Sequence, residues 1–329
     1  MKVLICDHPD SMMPDHALEI ETLRAGLGAD VEVEVYEYDE ADRDGFYARL
    51  ADADALLTAF VTVDAEVMDH APKLKVVSLN STGFDQVDLG EATRRGIGVC
   101  PVGEYCTWDV SESAIAYMFA LNKHLKFYQR EIDERCKWDY AAAPQWPRLE
   151  DQCLGIVGFG KIGKCTAEKA SGLVKRVIAC DPYVEDAEFS ERGVTRVTKG
   201  ELLAQSDIIV NHMCLTEENA RYFDEAAFAA MARRPLFINL GRGLCVDEAA
   251  LVAALDADKL RAFGADVLYD ETPDLANHPL VGRDNVIITP HSAFYSTTAI
   301  EDLERLSCEN IVHFLKGEKE RVFKLVNEV

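Results

Sequence analysis

Apolar and polar residues alternate along the chain with two different spacings. Short runs rich in Val, Ile and Leu, typical of buried strands, are separated by longer stretches whose apolar residues recur at helical spacing. The runs predict strands at 2–6, near 32–36, at 55–59 and at 75–79, and then at 153–157, 176–180, 207–210, 235–239, 262–266 and 285–288. Strands that alternate with helices favour parallel sheets covered by helices on both faces.

This alternation predicts an α/β protein with two Rossmann-like, doubly wound parallel-sheet domains. The six later runs match the size of a complete dinucleotide-binding sheet. A long helical pattern at 109–132 lies between the two series, and another at 297–315 follows the last strand. Because no strand follows that last helix, we expect it to return to the first domain. The first domain is then discontinuous, with residues 1–101 and 295–329, and the second contains residues 102–294.

The composition is that of an ordinary globular protein with a large negative charge. The 329 residues are 48% hydrophobic and 28% charged, and 34 Lys and Arg against 58 Asp and Glu give a net charge of −24. Such a field repels phosphate backbones and anionic membrane surfaces, so we expect no nucleic-acid partner and no membrane partner. No apolar stretch approaches the roughly 20 residues of a membrane span, and the N-terminal apolar run is short, so we predict a cytoplasmic location.

The ten cysteines carry no motif for a metal or a disulfide framework. No CxxC occurs, and most lie inside apolar strand-like runs such as KVLIC and RVIAC. We interpret them as reduced thiols of the core, which suits a reducing compartment. No Cys and His spacing supports a zinc site, and we expect no metal.

A glycine-rich sequence follows the first strand of the second series. The strand CLGIV leads into Gly158, Gly160 and Gly163, which open a helical pattern, and Asp181 lies 21 residues after Gly160 at the end of the next strand. This combination predicts a dinucleotide site, with the pyrophosphate at the helix N-terminus. A carboxylate at 181 accepts hydrogen bonds from a ribose and repels a 2′-phosphate, which favours NAD over NADP. The alternative for Asp181 is a purely structural role as a turn former before Pro182.

Three polar residues after strands of the same series have the side chains that carbonyl reduction needs. His291 follows NVIIT and Pro290, and an imidazole can give and take a proton near neutral pH. Glu271, in the loop after AFGADV, is a candidate partner that would favour the imidazolium. Arg242, after PLFIN, can hold a carboxylate with two parallel hydrogen bonds. By residue type alone, a surface arginine and a solvated glutamate are the ordinary alternatives.

These residues lie in motifs that resemble those of the D-isomer-specific 2-hydroxyacid dehydrogenase family. The similar segments extend over nearly the whole chain and include NSTGFDQVDL at 80–89, HMCLT at 212–216, INLGRGLCVDEAAL at 238–251, GADVLYDETP at 264–273 and TPHSAFYS at 289–296. The last of these is most similar to the D-lactate and D-2-hydroxyisocaproate dehydrogenase branch. The resemblance implies that the first domain binds the substrate, that the second binds NAD, and that the protein is a homodimer with the 109–132 helical segment at its interface.

The resemblance also assigns roles to individual residues. His291 becomes the general acid and base, Glu271 its charge partner and Arg242 the substrate clamp. The expected substrate-binding residues are Ser81, Thr82 and Gly83, through their backbone N–H groups, and Tyr105. By its aromatic side chain alone, Tyr295 is a further candidate for the pocket wall, with an ordinary core position as the alternative. The expected cofactor-binding residues are Gly158, Phe159, Gly160, Lys161, Ile162, Gly163, Asp181, His212, Thr216, Gly241 and Asp266. For His212 and Asp266, a strand-end residue satisfied by backbone groups is the alternative.

The chain departs from the family pattern at three positions near these motifs. Cys214 and Gly103 stand where prolines are expected, and Ser113 stands where a histidine is common. The first two departures alter loop walls and leave the proton and hydride chemistry unaffected.

We therefore expect an NAD-dependent D-2-hydroxyacid dehydrogenase that reduces a 2-oxo acid to the (R)-2-hydroxy acid and works in both directions. The loops 58–63 and 80–85 contain no Lys or Arg, which favours a monocarboxylate with a small or apolar side chain, such as pyruvate. The alternatives within enzymes are a glyoxylate or hydroxypyruvate reductase and a phosphite- or formate-type dehydrogenase. An alternative in another class is a dinucleotide-sensing scaffold similar to the corepressors that share this fold.

Overall fold

The computed structural model describes residues 1–13, 15–270 and 272–329. The chain forms two compact units, one of Met1–Tyr105 with Ser296–Val329 and the other of Cys106–Tyr295. The first unit is discontinuous. The boundaries lie after residues 105 and 295, whereas the sequence predicts them after 101 and 294.

The strands and helices alternate over most of both units. The strands are β1 (Lys2–Asp7), β2 (Glu32–Glu37), β3 (Ala55–Thr58), β4 (Val76–Leu79), β5 (Gly98–Pro101), β6 (Cys153–Val157), β7 (Arg176–Cys180), β8 (Thr195–Arg196), β9 (Ile208–Asn211), β10 (Leu236–Asn239), β11 (Ala262–Ala265) and β12 (Val286–Ile288). The helices are α1 (Ala17–Leu27), α2 (Arg43–Leu50), α3 (Ala65–Asp69), α4 (Leu89–Arg95), α5 (Thr107–Asn122), α6 (Leu125–Asp133), α7 (Lys161–Ala170), α8 (Asp186–Ser190), α9 (Lys199–Gln205), α10 (Glu225–Ala229), α11 (Glu248–Asp256) and α12 (Thr297–Leu315).

The first unit is built on a parallel sheet in the order β2-β1-β3-β4-β5. Apolar side chains from its two faces form separate core clusters, and α12 packs across β3, β4 and β5. The C-terminal tail covers the edge of β5, where the N–H of Val326 donates to the carbonyl of Val99. The sequence pattern predicts α12 but misses β5, because its four residues begin with Gly and end with Pro.

The second unit has, within its described residues, a seven-stranded parallel sheet in the order β12-β11-β10-β9-β6-β7-β8. The six predicted strands are all present, and the additional strand β8 is only two residues long. The chain runs outward from β6 to β8 and then crosses to β9, so the strand order reverses between β6 and β9. In doubly wound sheets, ligands bind beyond the carboxyl ends of the strands at such a reversal.

The helical segment predicted at 109–132 is two helices. The helix α5 ends at Asn122 and α6 begins at Leu125, because His124 has a left-handed backbone conformation with φ of 55°. The His124 ring lies 3.9 Å from that of Trp146. A residue with positive φ cannot continue a right-handed helix, so the break is fixed locally.

The cysteines agree with their interpretation as thiols, although two of them lie outside the core. All ten are described, and none forms a disulfide; Cys136 and Cys214 are exposed, and the others are buried or half-buried. Burial raises the pKa of Cys6 and of Cys100 to about 12. Over the described ranges, no group of three His, Cys, Asp or Glu side chains is arranged to hold a metal ion. None of the helices described is long and apolar enough to cross a bilayer.

Candidate active site

The second unit gathers most of the candidate residues at one edge of its sheet. Because all strands are parallel, their carboxyl ends lie on the same side, and the glycine loop follows β6 there. Asp181 follows β7, His212 follows β9, and Arg242 lies three residues beyond the end of β10. Asp266 follows β11, and His291 lies shortly after β12.

The glycines after β6 each meet a different constraint. Gly158 has φ of 87°, and a Cβ on it would lie 2.8 Å from the backbone of His212 and Met213. A Cβ on Gly163 would lie 2.2 Å from the carbonyl oxygen of Gly158, so the start of α7 packs directly on the loop. A Cβ on Gly160 would meet no protein atom within 4 Å. The loop therefore packs against other protein atoms at Gly158 and Gly163 and faces open space at Gly160.

That opening fits a bound dinucleotide. Gly160 is the residue before the first turn of α7, where unpaired N–H groups and the helix dipole favour a pyrophosphate. The ring of Phe159 is buried and stacked on that of Phe189, with centroids 4.5 Å apart, so only the backbone of Phe159 is available to a ligand. Ile162 is half-buried and Lys161 is exposed.

Asp181 helps to hold this loop and also lies beside an arginine. Its carboxylate accepts hydrogen bonds from the N–H of Phe159 at 2.8 Å and of Tyr183 at 2.9 Å. The Arg196 guanidinium donates to the carbonyl of Asp181 at 3.2 Å and pairs with Asp186 at 2.5 Å. The four residues directly after Asp181, PYVE, contain no arginine, and it is Arg196 of β8, a strand missed by the sequence pattern, that lies close.

His212 is held as a neutral imidazole. Its Nε2 lies 2.9 Å from the hydroxyl oxygen of Thr166 on α7, and its buried Nδ1 has no partner among the described residues. Burial lowers the pKa of His212 to about 3, because the charged ring would lose its hydration. The orphaned Nδ1 indicates that this ring can still accept or donate one hydrogen bond. Thr216, farther along the same loop, is exposed.

Two buried asparagines fix the loops after β9 and β10. The sheet register pairs Asn211 with Asn239, and Asn211 Nδ2 donates to Asn239 Oδ1 at 2.8 Å. Asn211 Oδ1 accepts from the N–H of Met213 at 3.1 Å, and Asn239 Nδ2 donates to the carbonyl of Arg242 at 3.1 Å. Asn239 Oδ1 also accepts from the N–H of Gly241 at 3.2 Å.

Asp266 plays the same part for the loop that carries His291. The side chain is 3% exposed, and its carboxylate accepts from the N–H groups of Ser292 and Ala293, both at 2.8 Å, and from the hydroxyl of Thr289. The Tyr117 hydroxyl contacts Thr289 Oγ1 at 2.6 Å, and burial raises the pKa of Tyr117 to about 12. The carboxylate of Asp266 is therefore satisfied by the loop that it holds, and its expected contact with the cofactor stays a prediction.

The three proposed catalytic residues differ in how far the structure describes them. His291 is half-buried with φ of 52°, and its N–H donates to the carbonyl of Asp266 at 2.8 Å. Arg242 is half-buried, and among the described carboxylates none lies within ion-pairing distance of its guanidinium, which contacts the carbonyl of Gly241 at 3.1 Å. Glu271 lies outside the described residues. His291 and Arg242 thus stand at the same sheet edge, each on a loop fixed by a buried polar side chain.

In the first unit, the predicted substrate loop follows β4. The hydroxyl of Ser81 donates to the carbonyl of Gly83 at 2.7 Å, and the carbonyl of Ser81 accepts from the N–H of Val102 at 2.9 Å. No acceptor among the described residues pairs with the N–H groups of Ser81, Thr82 or Gly83. These half-buried amides are available to an anion. Tyr105 is half-buried at the end of this unit.

Tyr295 ends the second unit and is exposed, with its ring centroid 6.1 Å from that of Phe294. Its N–H donates to the carbonyl of Ser292 at 2.9 Å. The structure therefore leaves its side chain accessible to solvent without assigning it a role.

Sequence reasoning missed the residues that hold these loops. Asn211, Asn239 and Thr289 each lie at or next to a strand end, and Asp7 does so in the first unit, where its buried carboxylate accepts from the N–H groups of Ala59 and Phe60. Burial raises the pKa of Asp7, and these hydrogen bonds oppose the rise. The sequence pattern that marks such residues is a polar side chain at the last position of an apolar strand, as in IIVN, LFIN and LICD.

Comparisons with known proteins agree with this geometry. The family model of the D-isomer specific 2-hydroxyacid dehydrogenase, NAD binding domain, matches residues 115–293. A glyoxylate reductase of Thermofilum pendens is 34% identical over 288 residues, which are 84% of this chain and 82% of that protein. A hydroxypyruvate reductase of Blautia hydrogenotrophica is 32% identical over 301 residues, which are 89% of this chain and 92% of that protein.

A solved structure is similar over almost the full length. The crystal structure of D-lactate dehydrogenase from Aquifex aeolicus, complexed with NAD and lactic acid, superposes with a TM-score of 0.87 at 25% identity and covers 99% of each chain. The predicted fold of two parallel-sheet α/β domains, the predicted family and NAD as cofactor are thereby confirmed. The chain belongs to the D-isomer specific 2-hydroxyacid dehydrogenase family, whose members are oxidoreductases acting on CH–OH groups.

Proposed function

We propose that the protein reduces a small or apolar 2-oxo monocarboxylate, of the pyruvate type, to the (R)-2-hydroxy acid and catalyses the reverse oxidation. The observation that carries this proposal is the pair of side chains Arg242 and His291 at the sheet edge that also bears the dinucleotide loop. A guanidinium that binds the carboxylate and a proton donor for the carbonyl oxygen are the minimum that carbonyl reduction requires.

In the proposed mechanism, the glycine loop and Asp181 would hold NADH, which when bound would supply the hydride that the carbonyl carbon of the substrate needs. Arg242 holds the carboxylate and carbonyl oxygen with its paired N–H groups, since no described carboxylate competes for them. His291 protonates the oxygen as the alcohol forms and takes that proton back in the oxidation. Glu271, outside the described residues, is proposed as the charge that keeps the imidazolium available.

The first unit would contribute backbone groups rather than side-chain charges. The N–H groups of Ser81, Thr82 and Gly83 have no acceptor within the described part of the chain, so they can bind a carboxylate without breaking an existing hydrogen bond. Asp7 fixes the neighbouring loop through Ala59 and Phe60. Neither loop contains a lysine or arginine, although the ammonium of Lys324 in the C-terminal tail lies 5.5 Å from the ring centroid of Phe84 in the loop after β4.

A second candidate is reduction of glyoxylate or hydroxypyruvate, and the relatives named glyoxylate reductase and hydroxypyruvate reductase favour it. One assay separates the candidates: NADH oxidation measured with pyruvate, 2-oxoisocaproate, phenylpyruvate, glyoxylate, hydroxypyruvate and oxaloacetate. The proposal expects the highest kcat/KM for pyruvate or 2-oxoisocaproate. A higher value for oxaloacetate would contradict it, and a higher value for hydroxypyruvate or glyoxylate would establish the second candidate.

We also propose that the protein is a homodimer working in the cytoplasm. The helices α5 and α6 and the loop after them expose apolar side chains, including Trp108, Leu125 and Ile132, and Trp138 and Tyr140 are each 91% exposed. Apolar surface of this extent favours burial against a second chain. Ten cysteines without a disulfide suit a reducing compartment. Sedimentation at micromolar concentration tests the dimer, and a species of 36.6 kDa would contradict it.

A further inference from the structure

We propose that Asn239 and Asn211 are positioning residues that fix the backbone of Arg242 relative to the loop 212–214. The proposal rests on the proposed function, because it takes Arg242 as the group that binds the substrate carboxylate. Neither asparagine touches that substrate in the proposed mechanism. Both act through the loops that they hold.

The first step concerns the arginine itself. Among the described carboxylates none pairs with the guanidinium of Arg242, so no acid partner selects its rotamer. Among the described residues, the guanidinium contacts the carbonyl of Gly241 in its own loop, so the side chain keeps much of its conformational entropy. The position of the guanidinium is then limited chiefly by where the Cα of Arg242 is held. The hydrogen bond from Asn239 Nδ2 to the carbonyl of Arg242 holds that backbone.

The second step links this loop to its neighbour. Asn239 receives a hydrogen bond from Asn211, and Asn211 also accepts one from the N–H of Met213. The two loops are packed without space between them, because a Cβ on Gly241 would lie 2.6 Å from the carbonyl oxygen of Met213. The loop that carries Arg242 and the loop that begins with His212 therefore hold each other in place.

The third step concerns why these residues must be asparagines. Asn239 uses its oxygen as an acceptor from Asn211 and Gly241 and its nitrogen as a donor to Arg242. Aspartate has the same shape but no donor when ionised, and leucine has neither function. Asn211 and Asn239 are 0% and 1% exposed, so bulk water does not reach a lost contact, and a buried polar group left without its partner destabilises the loop that it held.

The experiment measures two variants, Asn239→Asp and the uncharged Asn239→Ser, against wild type. For each, kcat and KM are measured with the best 2-oxo acid, and the Kd for NADH is measured by fluorescence titration. We expect kcat/KM to fall by about 10–100-fold and the Kd for NADH to rise by a smaller factor, because Arg242 acts on the substrate whereas Gly241 and His212, in the same two loops, are expected to contact the cofactor. Asn122→Asp is the matched control, since Asn122 is also buried in this unit and donates to the carbonyl of Pro147.

A double-mutant cycle tests whether the asparagine acts through the arginine. In an Arg242→Lys background, Asn239→Ser should lower kcat/KM by less than about threefold further, because the guanidinium that it positions is already absent. Additive effects of the two substitutions would overturn the proposal. So would a kcat/KM for Asn239→Ser equal to that of wild type.

Amide hydrogen exchange gives a readout that does not depend on turnover. In both Asn239 variants, exchange in 240–243 and in 212–214 should accelerate together, whereas Asn122→Asp should leave both segments unchanged. If the wild type binds NADH but reduces no 2-oxo acid, the proposed function has failed, and the coupled exchange still decides whether the pair holds the two loops. Unchanged exchange in either loop would overturn that coupling.

Discussion

The sheet edges of the two units offer different chemistry to a ligand. In the second unit, the loops after β10 and β12 present the side chains of Arg242 and His291, and buried side chains beneath them hold those loops in place. In the first unit, the loop after β4 presents the backbone N–H groups of residues 81–83. Reacting side chains must be held in position by other side chains, whereas the positions of backbone N–H groups follow directly from the path of the backbone.

This difference predicts unequal sensitivity to substitution. Truncating a side chain in the second unit removes a reacting group or the contact that fixes it. Truncating one in the first unit leaves the N–H groups in place, because every residue other than proline carries one. Of the four predictions below, those for His291 and Thr82 test this contrast directly, and the other two concern the cofactor site of the second unit and the stability of the first.

The largest effect is expected for His291→Asn. The substitution removes the proposed proton donor from the second unit's edge but leaves the glycine loop intact, so kcat for 2-oxo acid reduction should fall at least ~10²-fold with little change in NADH affinity. Steady-state kinetics and fluorescence titration measure the two quantities. His278→Asn is the control, since His278 pairs instead with Glu248. A kcat for His291→Asn within about threefold of wild type would remove this residue from the mechanism.

A smaller effect is expected for the cofactor preference. Wild type should favour NADH over NADPH by at least ~10-fold in kcat/KM, because the Asp181 carboxylate repels a 2′-phosphate, and Asp181→Ala should narrow that ratio. Asp186→Ala is the control, because it removes the acid partner of Arg196 and keeps Asp181. Its ratio of kcat/KM for NADH to that for NADPH should lie between the ratios of wild type and Asp181→Ala. Equal use of both cofactors by wild type would contradict the prediction.

The stability of the first unit should respond to pH through a buried acid pair. Glu304 on α12 is 8% exposed, and burial together with the charge of Glu19 raises its pKa to about 7. Asp15 and Glu301 also raise the pKa of Glu304, and His16 lowers it. Glu19 itself pairs with His16 and accepts a hydrogen bond from Asn80, the residue before the predicted substrate loop.

Because the folded state holds this proton more tightly than the unfolded state, the contribution of Glu304 is fully present below its ordinary pKa of 4.5 and is lost as the pH rises through about 7. The change in Tm caused by Glu304→Gln should therefore be a few degrees more positive at pH 8 than at pH 5. A change of about 1 kcal/mol in the free energy of unfolding shifts the Tm of a domain of this size by that amount. Thermal unfolding at both pH values measures it, with Glu301→Gln as the less buried control. An equal shift at both pH values would show that Glu304 does not titrate in this range.

The smallest effect is expected for Thr82→Ala. If the first unit binds the substrate carboxylate through N–H groups, kcat/KM should change by less than about threefold, because the substitution leaves the amide in place. Thr82→Pro, which removes that N–H, is the opposing variant and should raise KM by at least ~10-fold. A large loss in Thr82→Ala would mean that the hydroxyl is used, and the contrast between the two edges would then disappear.

The same contrast explains how much of the site could be predicted from the sequence. His291 and Arg242 could be singled out, because a reactive side chain after an apolar strand leaves a visible pattern. Asn211 and Asn239 could not, since their pairing depends on the register of β9 against β10, and register is a property of the folded sheet. The free N–H groups of 81–83 leave no trace in residue type, and only the family resemblance pointed to them.

The fold could be predicted where a run of apolar residues was long enough to be distinctive. The strands β6 and β7 and the helix α12 lie where the pattern places them. The two-residue strand β8 has no such pattern. The division between α5 and α6 depends on a left-handed residue at His124, a conformation that histidine adopts only where neighbouring contacts require it.

The three glycines after β6 are constrained in different ways. Gly158 and Gly163 are required by the protein itself, because a side chain at either would collide with backbone within this unit. Gly160 is required only by what binds there, since a side chain would enter open space. In a lineage that kept the fold but abandoned its cofactor, position 160 would drift freely while the other two stayed glycine. The residue type at position 160 would therefore depend on whether the cofactor is still bound and not on whether the fold is kept.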